Sequence, residues 1–146
     1  MADSDLIQLY SGRILSLAAE IPHVGRLVAP QGTAKRRSPL CGSAVTVDVV
    51  LTEGRIAEFG QDVKACALGQ AAASVLGAVA VGRSRAEVEG ARDALRAMLK
   101  GEGPGPVAPF EGYEVLLPAR DYKNRHASIM LALEATVEAM IAAESA

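Results

Sequence analysis

The hydrophobic and polar positions change period along the chain, and each change predicts an element. Val45, Val47, Val49 and Leu51 alternate with Ala44, Thr46, Asp48 and Val50, the two-residue repeat of a strand. Glu53-Gly54 predicts a tight turn. Arg55 to about Val63 then returns as the second strand of a hairpin, with Gly60 expected to mark a bulge. Earlier in the chain, Leu6, Leu9, Ile14 and Leu17 give an apolar face to a helix capped by Ser4 or Asp5. It runs to about Glu20, Pro22 ends it, and residues 22–27 read as a turn-like exit. Lys35-Arg36-Arg37 reads as a solvated edge strand ahead of a docking patch for an acidic partner.

Beyond the hairpin the period becomes helical. A small-residue helix starts near Cys66 and reaches about Val81, where Gly82 stops it. Ser84-Arg85-Ala86-Glu87 is a capping box that opens a helix with Val88, Ala91, Leu95, Met98 and Leu99 on one face and Gly101 at its end. The glycine- and proline-rich stretch from Glu102 to Pro109 is a loop inside the domain, since too little chain follows it to fold alone. Val115-Leu116-Leu117-Pro118 packs back onto the body. A last helix begins between Asp121 and His126, with Ile129, Leu133, Val137, Met140 and Ile141 as its stripe. The pattern predicts one domain over residues 1–146.

Composition narrows the picture. Half of the 146 residues are hydrophobic but only 3% are aromatic, so the core must be aliphatic and alanine-rich. Lys and Arg number 15 against 17 Asp and Glu, a net charge of −2 that gives no reason to expect nucleic-acid or anionic-membrane binding. The longest apolar run, Ala67 to Val81, is shorter than the ~20 residues of a membrane span. The acidic start, Met1-Ala2-Asp3-Ser4-Asp5, lacks a signal-peptide pattern, and two distant cysteines without an export signal read as reduced thiols. A cytoplasmic protein is expected.

Two cysteines and two histidines carry the candidate chemistry. Pro39 and Gly42 flank Cys41 with a constrained turn. Cys66 falls at the first turn of a helix, where unpaired N–H groups and the helix dipole favour a thiolate. Taken alone, Cys66 is more simply a buried small apolar residue. The hairpin changes that balance, because it brings the position before its first strand and the position after its second to the same end of the sheet. His126 lies near the start of the last helix, and His23 reads as a turn residue.

With these pieces in place, the chain resembles the iron–sulfur cluster assembly scaffold family of the NifU, IscU and SufU type. Ile21-Pro22-His23-Val24-Gly25-Arg26-Leu27 is similar to the family's Asn-Pro-Arg-Asn-x-Gly exit. Ser38-Pro39-Leu40-Cys41-Gly42-Ser43 is similar to its Asn-Pro-x-Cys-Gly-Asp. Ala65-Cys66-Ala67-Leu68-Gly69-Gln70-Ala71-Ala72-Ala73-Ser74 is similar to its Gly-Cys-Ala-Ile-Ser-x-Ala-Ser-Ala-Ser. His126-Ala127-Ser128-Ile129-Met130 is similar to the His-Cys-Ser-Ile-Leu that heads the last helix in many members.

The resemblance implies an α+β fold of the SufE/NifU superfamily, a small antiparallel sheet of about three strands covered by helices. It implies Cys41, Cys66 and His126 as metal ligands, a thiolate and imidazole set suited to an iron–sulfur cluster, iron or, alternatively, zinc. It also implies a cysteine desulfurase and iron–sulfur acceptor proteins as partners, and a role that is not enzymatic. Two positions depart from the family. Ser43 replaces the aspartate. Ala127 replaces the third cysteine if His126 matches the family histidine; in the branch without that histidine, the cysteine matches His126 itself. A fourth ligand must come from elsewhere, with Asp62 and Asp121 as candidate carboxylates. The alternatives to a scaffold are a zinc-bound sulfur acceptor for a desulfurase, to which Pro118-Ala119-Arg120 points, and a paralogue that has lost its metal. A Cys66–His126 hydrolase ranks last, because no orienting residue is evident.

Overall fold

The structure, a computed structural model, describes residues 10–39 and 42–145. Ser4, Asp5, Leu6 and Leu9 lie outside the described residues. Within them, helix α1 spans Gly12–Ala19, capped by Ser11, whose hydroxyl accepts from the Ile14 amide at 3.4 Å. Three strands follow: β1 (Gly32–Arg37), β2 (Ala44–Thr52) and β3 (Arg55–Lys64). They pair antiparallel in the order β1-β2-β3, so the basic run lies on an edge strand.

Glu53 and Gly54 both take positive φ, +53° and +78°, the geometry of a two-residue hairpin turn. The register shift falls between Val50 and Leu51, which face Glu58 and Ile56. Gly60 is therefore not a bulge. It pairs in register with Asp48, and a Cβ there would stand 2.8 Å from the Gly25 carbonyl oxygen. The missing side chain lets the exit from α1 cross the sheet.

Helices α2 (Ala67–Val79), α3 (Arg85–Leu99) and α4 (His126–Glu144) complete the fold, with 3-10 segments at Glu111–Asp121 and Lys123–Arg125. The long 3-10 segment occupies the place where the sequence predicts only a strip packing back. Val45, Val47 and Val49 of β2, with Phe59, Gln61 and Val63 opposite them on β3, form the buried face of the sheet. Helix α4 lies across β1 and β2 and also packs on α2 and α3, so its buried arc is far wider than one stripe. Ile141, predicted to join that stripe, is 44% exposed; the buried arc runs through Met140 and Ala143 instead. Residues 123–144 are long and apolar enough to cross a membrane, but most of that stretch is covered by the rest of the protein.

Contact between α4 and β1 is close. A Cβ on Gly32 would collide with the Ala139 carbonyl oxygen and stand 2.6 Å from the Ala143 nitrogen. The open face of the sheet is held differently. Asp48, fully buried, accepts from Arg26 Nε at 2.6 Å, Arg26 Nη2 at 3.1 Å, the Leu27 amide at 3.0 Å and Thr33 Oγ1 at 2.6 Å. Burial by itself raises the carboxyl pKa, but the hydrogen bonds from Arg26, Thr33 and Leu27 outweigh it and the net displacement is downward. One carboxylate on β2 thus ties down both the α1–β1 crossing and, through Thr33, the edge strand β1.

Helix α3 begins with the predicted capping box: Ser84 Oγ accepts from the Glu87 amide at 3.2 Å and Glu87 Oε1 accepts from the Ser84 amide at 3.0 Å. The Ser84 amide, together with Arg55 and Arg83, holds Glu87 down at about 2 despite partial burial.

Asp48→Ala should cost about 2–3 kcal/mol at pH 7, because it orphans the Leu27 amide and Thr33 hydroxyl under the crossing segment. Urea unfolding with circular dichroism measures this. Glu87→Gln should cost about 1 kcal/mol at neutral pH. A carboxyl depressed by folding stabilises above its unfolded pKa of about 4.3 and stops doing so as pH falls through its folded value. The Glu87→Gln deficit should therefore shrink between about pH 4.3 and about pH 2.

Candidate functional site

The site lies at the end of the sheet where Ala44 pairs with Lys64. The β1–β2 connection returns there, closed by the Ser38 amide donating to the Ser43 carbonyl at 2.8 Å, and Gly42 takes φ +72°. Cys41 itself lies outside the described residues. Two residues past β3, Cys66 forms the N-cap of α2, and its carbonyl accepts the first helical hydrogen bond, from Gln70 at 2.9 Å. The thiol does not cap the helix. Instead Cys66 Sγ sits 3.4 Å from Ser128 Oγ, on the first turn of α4.

Ser128 is buried and donates to Ser43 Oγ at 3.1 Å. With its proton committed there, Ser128 receives the Cys66 S–H. If Cys66 ionises, rotation of the Ser128 hydroxyl gives the thiolate a donor. Gly69 permits the approach: a Cβ there would stand 2.5 Å from Ser128 Oγ and 2.7 Å from Ala65 Cβ. The family aspartate position, Ser43, is thus joined through Ser128 to Cys66.

His126, the first residue of α4, is half-buried. Its Nε2 lies 3.0 Å from the Ala119 carbonyl and 3.1 Å from that of Arg120. Carbonyls only accept, so this nitrogen carries a proton, and in the neutral ring the lone pair is on Nδ1. A ring whose one N–H donates to backbone carbonyls, with no hydrogen bond to the other nitrogen among the described residues, is the arrangement common to metal-binding histidines. The 3-10 segment supplies both carbonyls.

Ala127 offers no donor atom. Asp121 shares a cleft with His126, Lys100, Arg120 and Lys123. Asp62 stands opposite Thr46 on the open face of the sheet, where its charge acts on Arg26. Among the described residues, no three His, Cys, Asp or Glu side chains converge as a metal cluster. His23 lies in the crossing segment, with φ +60° and its ring edge-on to Phe59 at 6.2 Å.

The sequence reading gave Ser128 no role. A signal was available in the run His126-Ala127-Ser128-Ile129-Met130, where Ser128 coincides with the serine of the family's His-Cys-Ser-Ile-Leu, and a hydroxyl there must be satisfied once buried.

No protein-family model matches the chain, and no curated protein does. Solved structures do. A nitrogen-fixing NifU-like protein (N-terminal) from Brucella abortus is 39% identical, with TM-score 0.93 over 97% of this chain and 98% of that one. A protein from Fervidobacterium islandicum, described as an iron–sulfur cluster assembly scaffold for the SUF system, shares the fold at 17% identity, TM-score 0.80, over 92% of this chain and 98% of that one. A further protein, described only as hypothetical, does so at 21% identity and TM-score 0.82, with the same coverage. At 39% identity across nearly the whole of both chains, this protein belongs to the NifU-like family, of the NifU, IscU and SufU type.

Proposed function

We propose that the protein is an iron–sulfur cluster assembly scaffold or carrier, holding iron or a forming cluster as cargo between Cys66, Cys41 and His126. The observation that carries this reading is the convergence of the Cys66 thiol with the first turn of α4, at the sheet end to which the Cys41 loop returns. The Brucella relative and the SUF scaffold point the same way. In this reading the thiolates are the soft donors, and His126 binds through Nδ1 while the 3-10 carbonyls fix its ring. Ser43 and Ser128 supply no charge, so they orient Cys66 without becoming ligands. The site transfers cargo and catalyses no reaction of its own. A cysteine desulfurase would deliver sulfur, and acceptor proteins would take the cluster.

A zinc-bound sulfur acceptor is the second reading. It is favoured by the segment Pro118-Ala119-Arg120, whose carbonyls hold His126. There Cys41 and Cys66 would hold zinc as thiolates, and one of them would take the outer sulfur of the desulfurase's persulfide, releasing the desulfurase's cysteine as a thiolate.

Protein purified without oxygen should contain iron and acid-labile sulfide. Cys66→Ser should lose both at least tenfold while its circular dichroism melt stays close to that of the parent. Zinc in equal amount to protein, without sulfide, would select the second reading. Metal content that is the same in Cys66→Ser, Cys41→Ser and the parent would reject both.

A further inference from the structure

Two clefts meet at His126 and run on as one groove. One, of about 640 Å³, lies between the end of α3 and the 3-10 segment. The other, of about 370 Å³, lies between α3, α4 and the end of β1. They share Leu99, Lys100 and His126. The floor is apolar, from Leu99, Met130 and Leu131, and the rim is cationic.

The ion pairs show which of these cations are engaged. Arg36 is held by Glu134 and Glu138, and Arg96 by Glu134 and Asp93. Arg37, Lys100, Arg120 and Lys123 all line the groove and, among the described residues, none of them is in an ion pair. Elsewhere Arg26, Arg55, Arg83, Arg85 and Arg92 are paired, while Arg13, Lys35, Lys64 and Arg125 are dispersed outside the two clefts without an ion pair among the described residues. Of the cations without an ion pair among the described residues, Arg37, Lys100, Arg120 and Lys123 thus share one groove and outnumber the unpaired acids Glu102 and Asp121 on its rim.

We propose that this groove binds an acidic, leucine-bearing peptide segment of a partner protein. The cations stand at both ends and in the middle of a groove far longer than one phosphate, so successive carboxylates fit them better than a single anion does. The apolar floor needs side chains that an inorganic anion lacks. Nucleic acid is disfavoured by the overall negative charge and by a lining that holds no phenylalanine, tyrosine or tryptophan among the described residues on which a base could stack. The inference stands on charge and shape and does not depend on metal at the neighbouring site.

The test uses the protein as purified and a fluorescent hexapeptide of alternating glutamate and leucine, read by anisotropy. The same peptide with glutamine for glutamate is the control. The acidic peptide should bind, more weakly as salt is raised, and the glutamine peptide at least about tenfold more weakly. Lys100→Glu should weaken binding by about tenfold or more. Arg13→Glu, the same charge change on exposed α1, should leave it within about twofold. Unchanged melting would show that both variants fold. Equal binding of the two peptides, or equal loss in the two variants, would overturn the proposal. So would full displacement by equimolar inorganic phosphate, which would make this a single-anion site. Self-association in sedimentation that Lys100→Glu abolishes would assign the groove to a second copy of this chain, and that too would overturn it.

Discussion

The approach of α4 to its neighbours at two glycines sets the geometry of everything else. At Gly32 the backbone of β1 meets the backbone of α4 near Ala139 and Ala143. At Gly69 the first turn of α2 meets Ser128, near the other end of α4. A helix is stiff along its axis and rises about 1.5 Å per residue, so pinning it at two points fixes its direction and its rotation. The valine face of β2 is covered by the first contact, and Cys66 is brought to α4 by the second. A side chain at either glycine would lift α4 from the sheet or part Cys66 from Ser128.

Where the chemistry of a single segment decides its structure, the sequence was a sufficient guide. The alternation of β2, the positive-φ turn at Glu53-Gly54 and the reciprocal cap between Ser84 and Glu87 are all local. So is the start of α2 at Cys66, which placed one candidate ligand correctly on its helix. Features that need two distant segments were not legible. Gly60 looks like any strand glycine until the Gly25 carbonyl passes over it. Asp48 alternates as an outward residue, and only the crossing segment buries it. The 3-10 segment over Glu111–Asp121 has no helical stripe to announce it, and its interior proline and tight i→i+3 geometry leave none to find. Its role, holding His126 by two carbonyls, is a long-range fact of the same kind.

The hydroxyl chain from Cys66 through Ser128 to Ser43 separates this protein from the family pattern it otherwise follows. A carboxylate at position 43 would bring negative charge and a hard oxygen to the site. A serine there brings a neutral group that is buried and joined to another buried hydroxyl. Introducing a carboxylate at that position would require desolvating a charge beside a thiol, so Ser43 and Ser128 form a matched pair.

Synthesis order gives α4 one more consequence. It is the last of the described elements to leave the ribosome, yet it covers the valine face of the sheet and carries both His126 and Ser128. A nascent chain that has emerged only as far as α3 has its hairpin in hand but an uncovered apolar sheet and half a site. Completion of the fold and completion of the candidate site therefore become the same event.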